Sequence, residues 1–567
     1  MVLFMIKLDG LKLREQISVP ASKSHTMRAL LFAFMADGRS VVENYLHSPD
    51  TECMLNLGLS LGAGVVKYHD RIEVCGVAGC PKIEGGVVDA GNSGLVVRFG
   101  IAMAALGDRP IGFRGDSSLT NKRPIEPLVT ALDGLGVTID GTILPLNVCG
   151  PINAYVANID GEDSQPVSAL LIALNILGRD GSISVRNPGE KPWIDVTLWW
   201  LKKLGYKISH EDYSLYHIEK SPVHKGFNYR VPADFSSAAY PVAAALIRKQ
   251  EVVIQGLDFD DIQGDKKIID ILKSMGASFK FCSGSLTILT GSGLQGISID
   301  VDDIIDALPL LAVLGCYAGG ETVLYNAGMA RHKESDRLAS ITKELKKMGA
   351  DIDEYKDRLV IKKSKLKAAH FEAHDDHRIA MALIVASLGV TGESQLEGER
   401  WISKSYPNFM ESLFLDNIII IGFKSAGKSS YGLQLAQKMG RHFIDLDNCI
   451  EAAYNEGRGL KKTCREIYNE EGLSYFRLLE REAILSLKGL HGLVLATGGG
   501  VVEDKQSMFA LLGFGKVCYL KVGFEEICSR LEANGWPSYA KDRAELRKVF
   551  DDRKALYMDY ADEILSI

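Results

Sequence analysis

The sequence predicts two α/β segments: a long one built from repeated α+β modules and a shorter C-terminal one built on a parallel sheet. Three observations support this prediction. A helix–glycine–strand pattern recurs at nearly constant spacing, and an apolar strand runs into a glycine-rich loop after residue 416. The composition, with 46% hydrophobic and 24% charged residues, is ordinary for globular proteins and excludes a disordered or fibrous chain.

The repeat is an amphipathic helix that ends in glycine and is followed by a short β-like run. Glycine suits the residue after a helix because it adopts a positive φ without a Cβ clash. Successive copies are 69 to 74 residues apart, which is too long for a solenoid. The glycines are Gly62, Gly136, Gly205, Gly276 and Gly349. We therefore expect six modules of this length in a domain covering 1–415, and a second domain in 416–567.

The charge balance and the termini narrow the class of protein. The 65 Lys and Arg against 72 Asp and Glu give a net charge of −7, which argues against a nucleic-acid partner. The N-terminus is apolar only as far as Lys7 and lacks the order of a signal peptide, and no apolar run is long enough to span a bilayer. We expect a cytoplasmic protein with reduced thiols and no membrane partner; the oligomeric state is not indicated.

The C-terminal segment begins with a phosphate-binding loop. Strand 417–421 leads into Gly422-Phe-Lys-Ser-Ala-Gly-Lys-Ser429, which has the GxxxxGKS spacing. In such loops backbone N–H groups and a helix N-terminus cradle phosphates, the lysine neutralises their charge, and the hydroxyl ligates Mg²⁺. This context predicts a nucleotide site. The residues expected to contact the nucleotide are Ser425, Ala426, Gly427, Lys428, Ser429 and Ser430.

Polar residues that could hold a small ligand follow this loop. Asp445 and Asp447 stand at alternate positions of a predicted strand and point the same way, so they could hold a metal ion or a polyol. Three glycines at 498–500 follow a buried strand and would let the backbone approach a ligand closely. Arg477 and Arg553 could clamp a carboxylate through paired hydrogen bonds.

In this order and spacing, these features resemble shikimate kinase over 417–567. The resemblance implies a P-loop NTPase-type parallel α/β kinase domain that phosphorylates the 3-hydroxyl of shikimate with ATP and Mg²⁺. The residues it implies for shikimate are Asp447, Arg477, Gly499 and Arg553, and those for the metal are Ser429 and Asp445.

The lid of the kinase segment departs from the family pattern. The family's lid arginine before a proline reads Trp536 here. Arg530 or Arg543 could take its place, and an arginine that stabilises transition-state charge can change the rate by orders of magnitude. A weak or silent kinase beside an active transferase therefore stays an alternative.

The long segment carries its cations beside Gly, Ser and Pro in six short motifs. Loops of this kind let backbone and cation converge on an anion, and substrates with several phosphates and carboxylates would need this many. The motifs are Ser22-Lys-Ser-His-Thr-Met-Arg28, Gly91-Asn-Ser-Gly-Leu-Val-Val-Arg98, Lys122-Arg-Pro-Ile125, His332-Lys-Glu-Ser-Asp-Arg337, Asp375-Asp-His-Arg378 and Lys404-Ser-Tyr-Pro407.

This ordered set is similar to that of the 5-enolpyruvylshikimate-3-phosphate (EPSP) synthase family over essentially all of 1–415. The family fold has two lobes of three βαβαββ units each, with the site in the cleft between them. The resemblance implies transfer of the enolpyruvyl (carboxyvinyl) group of phosphoenolpyruvate to the 5-hydroxyl of shikimate 3-phosphate, with release of phosphate and no cofactor. Together the two resemblances imply a bifunctional enzyme of chorismate biosynthesis that acts on small molecules.

The resemblance also assigns roles to single residues. Asp306 would take the proton of the 5-hydroxyl, and Glu334 with Lys23 would move protons at the phosphoenolpyruvate methylene. The residues implied to bind shikimate 3-phosphate are Lys23, Ser24, Arg28, Ser164, Gln165, Asp306 and Lys333. Those implied around phosphoenolpyruvate are Lys23, Gly94, Arg123, Gln165, Arg337, Arg378 and Lys404.

Two acids, Asp163 and Glu190, stand where the family has phosphate-binding serines. A carboxylate beside a phosphate repels it and donates no hydrogen bond unless protonated. Either Lys191, Lys333 and Arg28 neutralise these acids and shikimate 3-phosphate binds more weakly, or the acceptor differs at its 3-position. The first explanation is favoured, because a kinase on the same chain would supply the phosphorylated acceptor.

Two further alternatives weigh less. UDP-N-acetylglucosamine enolpyruvyl transferase shares the architecture, but its members carry Lys-Asn where this chain has Lys23-Ser24, and usually a mobile catalytic cysteine that this chain lacks in the matching loop. A scaffold that binds nucleotide or shikimate-like ligands without turnover would explain the acidic replacements. Retention of Asp306, Glu334, Lys428 and Asp447 argues against it.

Overall fold

The structure is a computed structural model that divides into two units. The first comprises Met1–Asp9 and Glu15–Ser412, and the second comprises Gly10–Arg14 and Leu413–Ile567. The description covers the chain except residues 1–4, 9–10, 292, 416, 440, 457, 459–460, 488–489, 491, 535, 538–539, 541 and 567.

Strands of two to seven residues are found throughout the described residues. In chain order they are β1 (Met5–Lys7), β2 (Lys12–Leu13), β3 (Gln16–Ser18), β4 (Arg39–Glu43), β5 (Gly64–Lys67), β6 (Arg71–Cys75), β7 (Val87–Asp89), β8 (Ile111–Arg114), β9 (Thr138–Ile139), β10 (Leu146–Cys149), β11 (Val156–Asp160), β12 (Gly181–Arg186), β13 (Lys207–Glu211), β14 (Leu215–Glu219), β15 (Asn228–Arg230), β16 (Val252–Gln255), β17 (Ser278–Cys282), β18 (Ser285–Leu289), β19 (Ser298–Asp300), β20 (Glu321–Tyr325), β21 (Asp351–Glu354), β22 (Leu359–Lys362), β23 (His370–Glu372), β24 (Gln395–Glu397), β25 (Phe414–Leu415), β26 (Asn417–Ile421), β27 (His442–Asp445), β28 (Leu493–Ala496), β29 (Gly515–Lys521) and β30 (Glu563–Ser566).

The α-helices of the described residues alternate with these strands. They are α1 (Lys23–Met35), α2 (Pro49–Ser60), α3 (Gly94–Ala104), α4 (Ser117–Lys122), α5 (Glu126–Gly134), α6 (Ser164–Ile176), α7 (Lys191–Lys203), α8 (Phe235–Arg248), α9 (Lys267–Ser274), α10 (Leu308–Tyr317), α11 (Arg337–Lys347), α12 (His377–Ser387), α13 (Phe409–Leu413), α14 (Lys428–Met439), α15 (Leu446–Asn455), α16 (Cys464–Ser486), α17 (Lys505–Leu512), α18 (Phe524–Asn534) and α19 (Arg543–Tyr560).

The described residues of the first unit form six small sheets with one topology. In each four-stranded sheet the first pair is parallel and the next two pairs are antiparallel; the sixth sheet has the same pattern with one strand fewer. One half holds β15-β4-β6-β5, β7-β8-β10-β9 and β11-β12-β14-β13; the other holds β3-β16-β18-β17, β19-β20-β22-β21 and β23-β24-β1. The predicted six-module fold with three modules per lobe is confirmed, and the five repeat glycines have φ values of 84–99°.

The modules are less contiguous than the spacing of the glycines suggests. The chain begins in one half with β1 and β3, crosses to the other half at Ala21, and returns at Ala233 after β15. The two crossing strands are held together, since Ser22 N–H donates to Pro232 O at 2.8 Å and Asp234 N–H donates to Pro20 O at 2.9 Å. Strands from distant parts of the chain thus complete three of the six sheets.

Six helices form the centre of the first unit: α1, α3 and α6 in one half, and α8, α10 and α12 in the other. They are apolar on nearly all sides, as helices surrounded by protein should be. In α10, for example, nine of the ten residues are buried. The interior of each half is therefore helical, and the sheets enclose it.

The second unit is built on a five-stranded parallel sheet with the order β27-β28-β26-β29-β30. The N-terminal strand β2 also belongs to this unit, because it pairs antiparallel with β25 and Lys12 forms a salt bridge to Asp562 at 3.0 Å. The predicted boundary at residue 415 had placed β2 in the first domain. Pairing between residues about 400 positions apart leaves no trace in local periodicity.

Among the described residues, no helix is long and apolar enough to cross a membrane. All ten cysteines are free thiols.

Candidate active sites

One cavity of the first unit lies where the N-termini of the six buried helices meet. Its volume is about 120 Å³. Helix N-termini carry unpaired N–H groups and a partial positive charge, so their convergence favours an anionic ligand. The structure brings all the predicted transferase residues together around this cavity: Lys23, Ser24, Arg28, Gly94, Arg123, Ser164, Gln165, Asp306, Lys333, Glu334, Arg337, Arg378 and Lys404.

Glu334 lies at the centre of three basic side chains. Its Oε1 accepts a hydrogen bond from Lys404 Nζ at 2.7 Å and lies 3.2 Å from Arg123 Nη2, while Oε2 lies 3.0 Å from Arg337 Nη2. Burial opposes ionisation of Glu334, but Arg123, Lys404 and Arg337 outweigh it and hold the pKa well below its ordinary value. Glu334 is therefore an anion held by three cations that could otherwise bind an anionic ligand.

Asp306 forms a second cluster with two arginines. Its Oδ1 accepts from Arg337 Nη1 at 2.7 Å and its Oδ2 from Arg378 Nη2 at 3.3 Å. Asp376, the buried N-cap of α12, orients Arg337 by accepting from its Nε at 2.8 Å. Burial opposes ionisation of Asp306, but Arg337, Arg378 and Lys333 outweigh it, so its pKa lies far below the ordinary value. With both arginines in place, Asp306 is a weak base.

The first half presents its groups from the start of α1. Ser22 caps this helix by accepting from His25 N–H at 3.4 Å, which places Lys23 and Ser24 in the first turn. Lys23 Nζ lies 2.6 Å from Asp50 Oδ2, and Ser24 Oγ accepts from the buried Arg28 at 2.7 Å. Lys23 and Ser24, the side chains of this turn that could bind an anion, thus already have partners within the chain.

Gly94 leaves space for the arginines beside it. A Cβ atom at this position would lie 2.7 Å from Arg98 Nη1 and 3.0 Å from Gln165 Oε1, so any side chain would displace them. Within the described residues, the buried Nε atoms of Arg98, Arg123 and Arg378 have no hydrogen-bond partner. Buried donors of this kind are normally paired, so a ligand or water should complete them.

Glu190 fills the pocket in which the resemblance places the acceptor phosphate. Its Oε2 accepts from Ser164 N–H at 3.2 Å and from the Ser164 hydroxyl at 2.9 Å, and its Oε1 binds Lys333 Nζ. The residue is buried, and its φ of 47° lies in the left-handed region that few residues adopt. The donors of this pocket are therefore satisfied by an anion of the chain.

Asp163 is neutralised by Arg98, a motif arginine for which the sequence indicated no role. It caps α6 by accepting from Gln165 N–H at 2.9 Å, and its Oδ2 lies 2.9 Å from Arg98 Nη2. Burial opposes ionisation, but Arg98 and Lys333 outweigh it and lower the pKa of Asp163. Arg98 is the last residue of one of the six motifs, so the sequence pointed to this residue but not to its pairing with Asp163.

The expected neutralisation of the two acids is correct only for Lys333. Arg28 donates instead to Ser24, Thr197 and the Trp193 carbonyl, and Lys191 lies over the Tyr213 ring at 5.6 Å. Proximity in sequence suggested Lys191 as a partner of Glu190, but the left-handed backbone at Glu190 precedes a helix start that turns Lys191 elsewhere. The partners depend on the fold rather than on neighbouring positions.

Three further acids of the cavity were not anticipated: Asp50, Asp234 and Asp265. Burial, Asp234 and Asp306 together raise the pKa of Asp265 to about 7. Asp234 could have been found as the N-cap of a helix that begins Phe-Ser-Ser. Asp50 and Asp265 have no sequence signal that would separate them from surface acids.

The second unit contains a cavity of about 590 Å³, bordered by the loops that follow β26 and β28. Ligands of parallel α/β sheets bind at this edge, outside the carboxyl ends of the strands. Two predicted residues do not line the cavity: Ala426, which is buried within the loop, and Asp445. The other predicted kinase residues line it: Ser425, Gly427, Lys428, Ser429, Ser430, Asp447, Arg477, Gly499 and Arg553.

The phosphate-binding loop is closed on itself. Lys428 Nζ donates to the Phe423 carbonyl at 3.0 Å, and burial lowers its pKa to about 8. The Ser429 hydroxyl donates to Asp445 Oδ2 at 2.5 Å. These two adjacent oxygen ligands fit Mg²⁺, which is commonly held by one or two protein oxygens together with substrate phosphates.

Two acids of this cavity hold protons unusually well. Burial raises the pKa of Asp447, and the nearby Asp445 carboxylate raises it further. Burial raises the pKa of Glu480 to about 7, although Arg477 Nη1 lies 2.5 Å from its Oε2. Glu480, three residues after Arg477 on α16, was not among the predicted residues; the helical i, i+3 spacing could have revealed it.

The two predicted clamp arginines meet at Glu503. Arg553 lies 2.8 Å from Oε1 through Nε and 3.0 Å from Oε2 through Nη2, and Arg477 Nη2 lies 3.1 Å from Oε2. A Cβ atom at Gly500 would lie 2.4 Å from Arg477 Nη2, so glycine is required for this approach. The two arginines can hold a carboxylate, and in this structure they hold the carboxylate of Glu503.

Of the two arginines expected to replace the lid cation, one lies at the phosphate-binding loop. Arg530 Nη1 donates to the carbonyls of Ser425 at 3.2 Å and Ala426 at 2.9 Å, whereas Arg543 pairs with Glu525. Trp536 is half-buried against the core of the unit.

Family models match both parts of the chain. The model for EPSP synthase (3-phosphoshikimate 1-carboxyvinyltransferase) matches residues 9–413, and the model for shikimate kinase matches residues 424–566. The kinase match implies the use of ATP.

Relatives and a solved structure agree with the first match. The 3-phosphoshikimate 1-carboxyvinyltransferase of Chlamydia pneumoniae is 41% identical over 403 residues, covering 70% of this chain and 89% of the relative. That of Acetivibrio thermocellus is 39% identical over 413 residues, covering 72% and 97%. The structure of EPSP synthase from Acinetobacter baumannii matches with a TM-score of 0.61 and 26% identity, covering 72% of this chain and 96% of that chain.

Proposed function

The chain belongs to the EPSP synthase family and continues into a shikimate kinase domain, and from this premise we propose how its two cavities carry out the two reactions. As a bifunctional shikimate-pathway enzyme, it phosphorylates shikimate and transfers an enolpyruvyl group to shikimate 3-phosphate. We assign the transferase to residues 1–415 and the kinase to residues 416–567. The observation that carries the proposal is the convergence of basic side chains and helix N-termini on the first cavity.

Substrate binding in the transferase is an exchange of anions. Arg123, Arg337 and Lys404 leave Glu334 for phosphoenolpyruvate, and Arg378 leaves Asp306. The cavity of about 120 Å³ is smaller than typical ligand sites of about 300 Å³ or more, so the two halves must separate to admit both substrates. Loss of these cations lets the pKa of each carboxyl rise toward a value at which it can accept a proton.

The chemistry then uses the two released carboxylates. The 5-hydroxyl oxygen of shikimate 3-phosphate bonds to C2 of phosphoenolpyruvate, and its proton passes to Asp306. Glu334 takes up a proton from solvent once its cations have left, gives it to C3 with the assistance of Lys23, and takes one back as the C2–O bond to phosphate breaks. Arginines that fix the phosphate and carboxylate of phosphoenolpyruvate reduce the entropic part of the barrier. These steps require no cofactor.

In the kinase, Lys428 and the loop amides hold the phosphates of ATP, and Ser429 with Asp445 would hold Mg²⁺. The metal, when bound, neutralises charge on the phosphates. Asp447 binds the shikimate hydroxyl, and Arg477, Arg553 and the backbone of Gly499 hold the carboxylate end of shikimate. The raised pKa of Asp447 suits it to accept the hydroxyl proton.

One coupled assay tests the proposal. The full chain is incubated with shikimate, ATP, Mg²⁺ and phosphoenolpyruvate, and ADP, phosphate and enolpyruvylshikimate phosphate are measured. We expect all three to form. A second reaction contains shikimate 3-phosphate and no ATP, and should release phosphate alone. Phosphate release only in the second reaction would identify a silent kinase, and no product in either would exclude both assignments.

The nucleotide site should weaken at alkaline pH. Burial lowers the pKa of Lys428 to about 8 in the nucleotide-free chain, so above pH 8 the free enzyme loses the cation that meets the phosphates. Binding must then take up a proton, and the KM for ATP should rise by up to about tenfold per pH unit above 8. The measurement is the KM for ATP from pH 7 to 9.5 at saturating shikimate; a flat profile would contradict it.

Glu190 should weaken the binding of shikimate 3-phosphate without preventing it. Replacing it by serine removes a buried carboxylate beside the incoming phosphate and frees Lys333, so the KM for shikimate 3-phosphate should fall by about tenfold or more. The assay is phosphate release with phosphoenolpyruvate and no ATP. Glu162→Gln, an exposed carboxylate two residues before Ser164 at the start of α6, is the matched control.

The same assay tests the alternative of a different acceptor. If unphosphorylated shikimate were accepted in preference to shikimate 3-phosphate, the acceptor would differ at its 3-position. If Glu190→Ser left the KM unchanged, Glu190 would not lie in the place of the acceptor phosphate.

A further inference from the structure

We propose that Glu503 occupies the place of the shikimate carboxylate in the ligand-free kinase and must leave when shikimate binds. The inference rests on the proposed function of the second cavity. It makes Glu503 a residue that sets substrate affinity, through competition within the chain.

Glu503 is bound as a substrate carboxylate would be. Arg553 contacts both of its oxygens, through Nε at 2.8 Å and Nη2 at 3.0 Å, and Arg477 adds a third contact at 3.1 Å. Paired contacts between a guanidinium fork and a carboxylate are strong and directional. The carbonyl of Gly499, between these arginines and the phosphate-binding loop, accepts from the Tyr557 hydroxyl, which fixes the backbone at this point.

Two carboxylates cannot use these donors together. Arg477 Nη1 already lies 2.5 Å from the buried Glu480. The nitrogen left to face the cavity is therefore Nη2, which contacts Glu503. A second anion at the same nitrogens would meet the first at close range, and like charges at that distance repel. Shikimate therefore binds these arginines only after Glu503 has withdrawn.

Glu503 is the member of the cluster that can move. Its side chain is 40% exposed, whereas the side chains of Arg553 and Glu480 are 8% and 1% exposed. It ends the short 3-10 helix Val501–Glu503, so rotation of the side chain into water disturbs no core packing. The arginines stay in place, and the exchange requires motion of one side chain.

An internal competitor lowers the apparent affinity for shikimate, because only the fraction of molecules in which the arginines are free can bind it. The effect concerns shikimate, because the nucleotide contacts of Lys428 and Ser429 lie in the phosphate-binding loop and do not involve Glu503. We therefore expect shikimate binding, and not ATP binding, to depend on this side chain.

The test compares Glu503→Gln with the unchanged full-length chain by calorimetric titration of shikimate and by the KM for shikimate at saturating ATP. We expect about tenfold tighter binding and a lower KM, with the KM for ATP unchanged. Methyl shikimate, which has no carboxylate charge, should gain little. Glu482→Gln, an exposed carboxylate on α16, is the matched control, and Glu503→Ala should reproduce the gain without an amide.

Unchanged or weaker shikimate binding in Glu503→Gln would overturn the inference, because it would mean that Glu503 only positions the arginines. An equal gain for methyl shikimate would also overturn it. Failure of the proposed function is a separate result: the unchanged chain would then neither bind nor phosphorylate shikimate.

Discussion

Replacing Asp306 with asparagine should lower the kcat of enolpyruvyl transfer by about 10²–10⁴-fold, the usual contribution of a general base. The KM for phosphoenolpyruvate should not rise, and it should fall if the exchange of anions is correct. Asp306 holds Arg337 Nη1 and Arg378 Nη2 in the ligand-free chain, and asparagine, which has no charge, holds these two nitrogens less strongly against the substrate. A merely structural residue would not separate kcat from KM in this way.

The measurement is steady-state phosphate release with shikimate 3-phosphate and phosphoenolpyruvate varied in turn. Asp303→Asn is the matched control, because Asp303 lies with Asp306 in the short 3-10 helix Asp302–Ala307 and its salt bridge to Lys267 is half-exposed. ADP formation by the kinase of the same chain reports whether the variant is intact. Retention of more than half of the transferase kcat would rule out Asp306 as the base.

Short-range sequence patterns predicted the parts of this molecule that local chemistry determines. The repeat glycines have the left-handed backbone that their position after a helix requires, and the phosphate-binding loop lies between β26 and α14 as its spacing indicates. With the exception of Lys122, the Lys and Arg residues of the six motifs of the first unit line one cavity. Each of these features depends on a few consecutive residues, so it is visible in one sequence.

Apart from the pairing of Lys333 with Glu190, the partners of those cations could not be predicted. Acids of the chain lie among the cations of the cleft: Lys23 is paired with Asp50, and Arg337 with Asp306, Glu334 and Asp376. Apart from Glu334 and Arg337, which are three residues apart, these pairs join residues 27 to 39 positions apart, beyond the reach of helical or strand periodicity. Ligand-free active sites are neutralised by whatever acids the fold brings near, and periodicity carries no information about them.

Replacing Lys428 with methionine should abolish shikimate phosphorylation, by about 10³-fold or more, and leave enolpyruvyl transfer unchanged. Catalysis of phosphoryl transfer is almost entirely positioning and charge stabilisation, so the loss of the cation at the transferred phosphate is costly. Methionine keeps the length and apolar stem of the side chain. Since burial already lowers the pKa of Lys428 to about 8, removing this charge should not destabilise the nucleotide-free domain.

The two activities of one chain then act as controls for each other. With shikimate, ATP and phosphoenolpyruvate, Lys428→Met should release neither ADP nor phosphate; added shikimate 3-phosphate should restore phosphate release to the level of the unchanged chain. Lys438→Met, an exposed lysine in the last turn of the same helix α14, should retain both activities. If Lys428→Met still phosphorylated shikimate at a tenth of the original rate, a different cation would have to stabilise the transferred phosphate. A loss of both activities would point to misfolding, which the melting temperature of the variant would reveal.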